Sequence, residues 1–230
     1  MNKVAITIMG GAKGRGLVAS RRFRAGQVVL RETALVWSGD AGTSLAFPSL
    51  AAAAAEDNLV YPLMAAALAN GVGDRSLAEA FDALCHVQLG PDTVPPTWLH
   101  LAALLEQDAR TVKNDAQPSV QAPTLDQFVR AMGIVHLNTY TVDDQHCLFH
   151  VGSYVNHSCD PNTVLSLEAR GHGARLRTVG KWLACRPVDK GEEVTVSYVD
   201  TLLPVAARQE HLEFAYGFKC DCNRCVDEGG

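Results

Sequence analysis

The stretch Asn156-His157-Ser158-Cys159-Asp160-Pro161-Asn162 carries the most information about the fold. It follows Val151-Gly152-Ser153-Tyr154-Val155 and consists of groups that donate or accept hydrogen bonds until Pro161 stops it. This composition favours a tight loop that presents backbone and side-chain groups to a ligand. The simpler interpretation is a turn with ordinary capping residues, and motifs elsewhere in the chain decide between the two.

A second distinctive segment is the tail Cys220-Asp221-Cys222-Asn223-Arg224-Cys225. Three thiolates at this spacing can bind one metal ion, with zinc as the natural candidate, while a fourth ligand comes from elsewhere in the chain. The alternative is three unconnected cysteines at a frayed end, but thiols this dense are reactive when no metal binds them. The spacing leaves the fourth ligand open, the candidates being Cys85, Cys147, Cys159, Cys185 and any of eight histidines.

The composition is typical of a soluble globular protein. Of 230 residues, 47% are hydrophobic and 20% are charged, and no apolar run is long enough to span a membrane. The first residues alternate apolar and polar side chains, so no secretory signal is expected. Seven cysteines, three of them in the tail, favour a reducing compartment. We therefore expect a protein of the cytoplasm or nucleus, and we expect a monomer.

The net charge of the chain is -5 and its pI is about 5.9. Phosphate contacts need clustered Lys and Arg, so this charge argues against direct nucleic-acid binding. An acidic surface instead suits a basic protein substrate.

The hydrophobic pattern predicts a mainly β protein with a helical insertion, in the α+β class. Short strands are expected up to residue 37, and strands return after residue 138. Ala- and Leu-rich stretches at about 44–135 have helical spacing and two capping-box patterns, Ser76-x-x-Glu79 and Thr124-x-x-Gln127. We expect residues 1–200 to form the main domain, and residues 201–230 to form a helix followed by the metal-binding tail.

Four motifs, taken in order, resemble a SET domain. They are Gly14-Arg15-Gly16-Leu17, the polar stretch 156–162, Gly191-Glu192-Glu193-Val194-Thr195-Val196-Ser197-Tyr198, and the tail with Tyr216-Gly217-Phe218-Lys219 before it. The likeness is greatest to the SMYD branch and the related fungal Set-type lysine methyltransferases, and it covers about 1–37 and 134–226. It implies a SET-domain β-clip type fold with a post-SET zinc segment. The implied activity is that of an S-adenosylmethionine-dependent protein-lysine N-methyltransferase.

The resemblance also implies roles for individual residues. Cys159 would join Cys220, Cys222 and Cys225 around one structural zinc ion, which has no open position for catalysis when four cysteines bind it. Tyr198 would be catalytic and Tyr216 would form a wall of the lysine channel. The cofactor would be held by Lys13, Gly14, Arg15, Asn138, Asn156, His157, Tyr198 and Phe218, with Phe218 stacked on the adenine.

The sequence departs from that branch in two places. No cysteine lies between Trp37 and Leu84, so we expect no MYND zinc finger there, and because the sequence ends at Gly230 we expect no long helical C-terminal domain. We therefore expect a more open substrate groove. The substrate, a histone or another basic protein, and the degree of methylation stay open. Two alternatives remain: a catalytically inactive zinc-stabilised module that binds cofactor or peptide, and methyl transfer to another acceptor such as histidine.

Overall fold

The computed structural model describes residues 3–9, 14–38, 46–56, 59–70, 75–84, 89, 93–112, 123–171 and 176–229. Its strands are β1 Val4–Ile8, β2 Arg15–Ala19, β3 Val28–Thr33, β4 Val36–Trp37, β5 Thr139–Val142, β6 Gln145–Leu148, β7 Asn156–His157, β8 Thr163–Arg170, β9 Arg177–Ala184 and β10 Glu193–Val196. Its helices are α1 Pro48–Glu56, α2 Tyr61–Asn70, α3 Arg75–Ala83, α4 Pro96–Val112, α5 Leu125–Asn138, α6 Val205–Tyr216 and α7 Asn223–Gly229.

The chain divides into two compact units. The first unit consists of Met1–Thr33 together with Val151–Gly230, and the second unit is Ala34–His150. None of the helices among the described residues is long and apolar enough to cross a membrane.

Two sheets organise the described part of the first unit. One has the strand order β1-β2-β10-β7, in which β2 pairs antiparallel with both of its neighbours while β10 and β7 run parallel. Strand β10 has a partner on each side, and its Val194 and Val196 are buried. The other sheet, β3-β9-β8, is antiparallel and buries Trp182 of its central strand completely. The first sheet therefore places the polar stretch directly beside the strand that leads to Tyr198.

The second unit contains helices α1 to α5 and the small sheet β4-β6-β5. Helix α2 packs along α5, and its side chains Ala65, Ala66 and Ala69 are small and buried. Asp108 of α4 is only 2% exposed and accepts hydrogen bonds from the first backbone amides of α1, Ser49 at 2.9 Å and Leu50 at 3.1 Å. A buried carboxylate thus satisfies amides that the helix itself leaves unbonded.

Neighbouring residues carry the chain into and out of the second unit. Within that unit, the Leu35 amide donates to the Leu148 carbonyl at 2.8 Å. Within the first unit, the two carboxylate oxygens of Glu32 accept from the amides of Val151 at 2.9 Å and Gly152 at 2.8 Å. The segment that enters the second unit and the segment that leaves it are therefore hydrogen-bonded to each other on both sides of the boundary.

The predicted α+β class is confirmed, and the local predictions differ in quality. The Thr124 capping box is present in both directions, at 3.2 and 2.8 Å. The predicted cap at Ser76 depends on side chains outside the described part of the structure and stays a prediction; α3 is described from Arg75 onward. The β5–β6 hairpin was not predicted, since its turn uses Asp143 and Asp144, both at positive φ, where Asn-Gly or Asp-Gly is the usual signal.

Candidate active site and metal centre

The cysteine tail is fastened to the helix that precedes it. Helix α6 ends at Tyr216 and is capped by Gly217, whose φ of 74° is favourable for glycine. The Gln209 side chain then binds the backbone of Cys220 twice, accepting from its amide at 2.8 Å and donating to its carbonyl at 2.7 Å. These two bonds return the chain toward α6.

Four sulfur atoms meet at this point. Those of Cys159, Cys220, Cys222 and Cys225 all lie within 4.8 Å of one another. Zinc bound to four thiolates at about 2.3 Å holds its sulfurs about 3.8 Å apart. The Cys225 and Cys159 sulfurs are 3.4 Å apart, far beyond a disulfide bond of about 2.05 Å, and the cysteines are free thiols. This donor set fits a structural zinc ion.

The other ligand candidates lie outside this group. Among the described residues, no histidine joins it, and Cys147 and Cys185 do not either. Cys85 lies outside the described residues. The geometry therefore gathers the set that the family resemblance implies.

The thiols of the tail have different proton affinities. Burial raises the pKa of Cys220 to about 12 and that of Cys225 to about 11. Burial also acts to raise the pKa of Cys222, but hydrogen bonds, first from the Cys225 backbone, outweigh it and bring the pKa to about 7. Because a thiolate is the metal ligand, zinc binding here must displace protons.

Charged side chains surround the sulfur cluster. Arg208 of α6 is fully buried, and its guanidinium contacts the Cys225 sulfur at 3.8 Å and the Glu228 carboxylate at 2.5 Å. Arg224 donates to the other oxygen of Glu228 at 2.6 Å and to the Cys159 carbonyl at 3.0 Å. Arg208 and then Arg224 hold the pKa of Glu228 below its usual value. Two guanidinium groups therefore lie where a zinc tetrathiolate would carry excess negative charge.

Four aromatic rings lie next to the cysteines. The ring centroids of Tyr198 and Tyr216 are 4.9 Å apart, and Phe218 is 6.4 Å from Tyr216. His157 is 5.3 Å from Tyr198 and 6.0 Å from Phe218. Tyr198, Tyr216 and Phe218 also pack against the buried cluster that contains Cys159. The predicted catalytic tyrosines, the predicted adenine contact and the metal site are thus one packed group.

The backbone and the hydroxyl of Tyr198 are both fixed. Its hydroxyl donates to the Val155 carbonyl at 2.7 Å, and its amide donates to the Nδ1 atom of His157 at 3.0 Å. Val155 immediately precedes β7, and β7 is the parallel neighbour of the strand that leads to Tyr198. The orientation of Tyr198 is therefore a consequence of the parallel strand pair.

The glycine motif approaches the polar stretch closely. A side chain on Gly16 would lie 2.7 Å from Met9 and 2.8 Å from the Asn156 amide nitrogen, so only glycine fits without displacement. Asn156 donates from that nitrogen to the Arg15 carbonyl at 3.2 Å and to Glu193 at 2.9 Å. Gly14 has a φ of 63°. The Asn156 side chain is therefore hydrogen-bonded to the backbone of Arg15, and both residues are predicted to contact the cofactor.

The positions of two predicted cofactor-binding residues relative to Tyr198 and Phe218 are not described. Lys13 lies outside the described residues. Asn138 belongs to the second unit, where its side-chain amide donates to the Ile134 carbonyl at 2.7 Å at the end of α5. Their cofactor roles stay predictions. The remaining predicted residues offer a cation at Arg15 and an aromatic face at Phe218, a set that suits the carboxylate and adenine of S-adenosylmethionine.

Several site residues were not found from the sequence. One face of α6 carries Arg208, Leu212 and Tyr216, which are spaced four residues apart. This spacing could have placed Arg208 on the buried side of the helix. Its partner Glu228 is 20 positions away and has no sequence signal. Tyr154, whose ring lies 4.8 Å from the Arg15 guanidinium, could have been suspected only from the neighbouring polar stretch.

Comparison with known proteins identifies the family of this chain. The sequence profile of the SET domain matches residues 14–199. The chain belongs to the SET-domain family. The family resemblance inferred from the four motifs is confirmed. The cysteine tail lies beyond the part of this SET domain that the profile matches.

Relatives of this SET domain include a SET and MYND domain-containing protein of Dictyostelium discoideum, 32% identical over 45% of this chain and 32% of the relative. The histone-lysine N-methyltransferase SET5 of Meyerozyma guilliermondii is 34% identical over 45% of this chain and 20% of the relative. The N-lysine methyltransferase SMYD2 of Sus scrofa is 30% identical over 54% of this chain and 28% of the relative. The chain thus spans about a third or less of these relatives.

Solved structures share the fold of this SET domain. The crystal structure of the SET domain of LSMT bound to lysine and AdoHcy has a TM-score of 0.57 and is 15% identical, covering 95% of this chain and 53% of that one. The structure of Rubisco LSMT bound to sinefungin and monomethyllysine has a TM-score of 0.54 at the same identity, covering 96% of this chain and 52% of that one. At this identity the likeness concerns the fold alone.

Proposed function

We propose that this chain transfers a methyl group from S-adenosylmethionine to the side-chain amine of lysine in a protein substrate. The observation that carries the proposal is the packed group of Tyr198, Tyr216, Phe218 and His157 beside the four cysteines. Relatives named as lysine methyltransferases support it. The substrate is expected to be a histone or another basic protein, and the acidic net charge of the chain favours a basic partner.

The residues that would hold the cofactor are Gly14, Arg15, Asn156, His157, Tyr198 and Phe218. When bound, S-adenosylmethionine supplies an electrophilic methyl group on a positively charged sulfur. The Arg15 guanidinium would bind its carboxylate, and the Phe218 ring would pack against its adenine. Zinc on Cys159, Cys220, Cys222 and Cys225 has four sulfur ligands and no open position, so its role is to hold Phe218 and Tyr216 in place.

A lysine side chain must lose its proton before it can accept a methyl group. With a pKa near 10.4 it is about 3.4 units away from deprotonation at pH 7, which corresponds to about 4.6 kcal/mol. Removal from water beside the packed rings of Tyr198 and Tyr216 would disfavour the ammonium form, as would the nearby positive sulfur. A dedicated general base is therefore unnecessary.

The hydroxyl of Tyr198 is suited to orient the amine. Because its proton points at the Val155 carbonyl, the phenolic oxygen acts toward a ligand as a hydrogen-bond acceptor. An acceptor can bind a hydrogen of the neutral amine and turn the nitrogen lone pair toward the methyl group. Alignment of this kind supplies several kcal/mol of a transfer barrier.

The proposal is tested with the purified chain, isotopically labelled S-adenosylmethionine and a panel of basic proteins, including histones. Mass spectrometry of the labelled product should find the methyl group on a lysine. A label on histidine would show that histidine, and not lysine, is the methyl acceptor. Tight cofactor binding without any transfer would show that the chain is a binding module and not an enzyme. Sedimentation and cell fractionation test the accompanying proposals of a monomer located in the cytoplasm or nucleus.

A further inference from the structure

His157 lies between the metal site and Tyr198. The residue is 6% exposed, and each ring nitrogen faces a different partner. Nδ1 lies 3.0 Å from the Tyr198 amide nitrogen, and Nε2 lies 3.2 Å from the Cys159 sulfur. The ring therefore spans from a predicted zinc ligand to the predicted catalytic residue.

The Tyr198 contact determines which nitrogen carries the proton. A backbone amide can only donate, so Nδ1 must present a lone pair to it. A neutral imidazole with a free lone pair on Nδ1 is protonated on Nε2. The Nε2 hydrogen then points at the Cys159 sulfur, which accepts it.

We infer that His157 is a positioning residue that couples the zinc ligand Cys159 to the backbone of Tyr198 through its two ring nitrogens. The N–H···S bond stabilises charge on a metal-bound thiolate and fixes the orientation of Cys159. The bond to Nδ1 fixes the start of the Tyr198 segment. His157 thus acts on zinc from outside the ligand set, where such residues change metal affinity about 10- to 100-fold.

The inference rests on the zinc assignment but is independent of methyl transfer. Two substitutions separate the two bonds. His157→Asn keeps an oxygen near the position of Nδ1 and removes the donor to Cys159, whereas His157→Gln keeps an amide donor near the position of Nε2 and removes the acceptor for Tyr198. His211, an exposed histidine on α6, receives the same two substitutions as a control.

Two measurements, neither of which needs substrate, test the hydrogen bond from His157 to Cys159 and the hydrogen bond from Tyr198 to His157 separately. Zinc affinity by chelator competition should fall about 10- to 100-fold in His157→Asn and stay near that of the unsubstituted protein in His157→Gln. Hydrogen exchange of the Tyr198 amide should show the opposite pattern, faster in His157→Gln and nearly unchanged in His157→Asn. The His211 variants should match the unsubstituted protein in both.

Nitrogen NMR of the zinc-loaded, unsubstituted protein provides a check that needs no variant. The proton of His157 should reside on Nε2, with Nδ1 unprotonated. A proton on Nδ1 would overturn the inference, as would two variants that lose zinc affinity and amide protection to the same extent. Because neither readout involves catalysis, failure of the methyltransferase proposal leaves this test intact.

Discussion

Tyr198 is held by a hydrogen bond at each end, its hydroxyl on the Val155 carbonyl and its amide on His157. Tyr198→Phe removes the hydroxyl while keeping the ring against Tyr216. We expect kcat to fall about 100-fold because the amine loses its orienting acceptor, with little change in cofactor affinity. Steady-state kinetics and calorimetric cofactor binding measure the two quantities. Tyr140→Phe, in the second unit, is the matched control, and unchanged kcat in Tyr198→Phe would contradict the mechanism.

A second prediction for a single residue concerns the contribution of Arg208 to stability. Its guanidinium is fully buried and binds Glu228, the Leu203 carbonyl and the Cys225 sulfur. Arg208→Gln leaves these groups without their charged partner and should lower the free energy of unfolding by at least about 2 kcal/mol. Urea denaturation of the zinc-loaded protein measures the loss. Arg110→Gln, which breaks an exposed ion pair with Glu106, should stay within about 0.5 kcal/mol.

Residues of the site differ in how far the sequence predicts them. The tail cysteines are recognisable because their ligand spacing is local. Cys159 could not be chosen from spacing alone, since its meeting with Cys225 depends on the fold over 66 positions. The bonds of the His157 ring were equally hidden, because Tyr198 reaches it across a parallel strand pair 41 positions away.

Among the elements, the β8–β9 hairpin carries a charge cluster that responds to pH. Glu168 of β8 is contacted by Lys181 at 2.6 Å, Arg170 at 3.2 Å and Arg31 at 3.5 Å. Hydrogen bonds from Lys181 and then Arg170 lower the pKa of Glu168 from 4.5 to about 2. A carboxylate that is more acidic in the folded state stabilises the protein above pH 4.5, and that contribution is lost as the pH falls toward 2.

Glu168→Gln should therefore reduce stability at pH 7 and reduce it progressively less as the pH falls from 4.5 toward 2. Urea midpoints of both proteins at several pH values measure the difference. Since the carboxylate is partly exposed, high salt should diminish the effect. Glu210→Gln, on the exposed face of α6, controls for the loss of one negative charge. A pH-independent difference between Glu168→Gln and the unsubstituted protein would refute the assignment.

Elements with local signals were predicted better than elements formed by distant pairing. Helix α5 begins at a reciprocal capping box that is visible in four residues of sequence, Thr124 to Gln127. The two-residue strand β7 has no hydrophobic pattern of its own and exists because β10 supplies its hydrogen bonds. Such a strand is decided by tertiary contacts, which single-sequence patterns do not contain.

For the whole molecule, zinc removal should affect the two units unequally. The four cysteines belong to the first unit and join the segment near Cys159 to the tail. Chelation should raise hydrogen exchange in residues 217–229 and around Cys159 and should weaken cofactor binding through Phe218. The second unit, Ala34–His150, serves as the internal control and should keep its protection. Equal loss in both units, or loss in neither, would contradict a local structural zinc.

The fastened boundary between the units has a consequence for how this chain can change over time. Glu32 holds Val151 and Gly152 on one side of the boundary, and Leu35 holds Leu148 on the other. A segment whose two ends are already neighbours can gain or lose length with only a small change in loop-closure entropy. The insertion at residues 34–150 can therefore vary in length and sequence at little cost to the folding of the first unit.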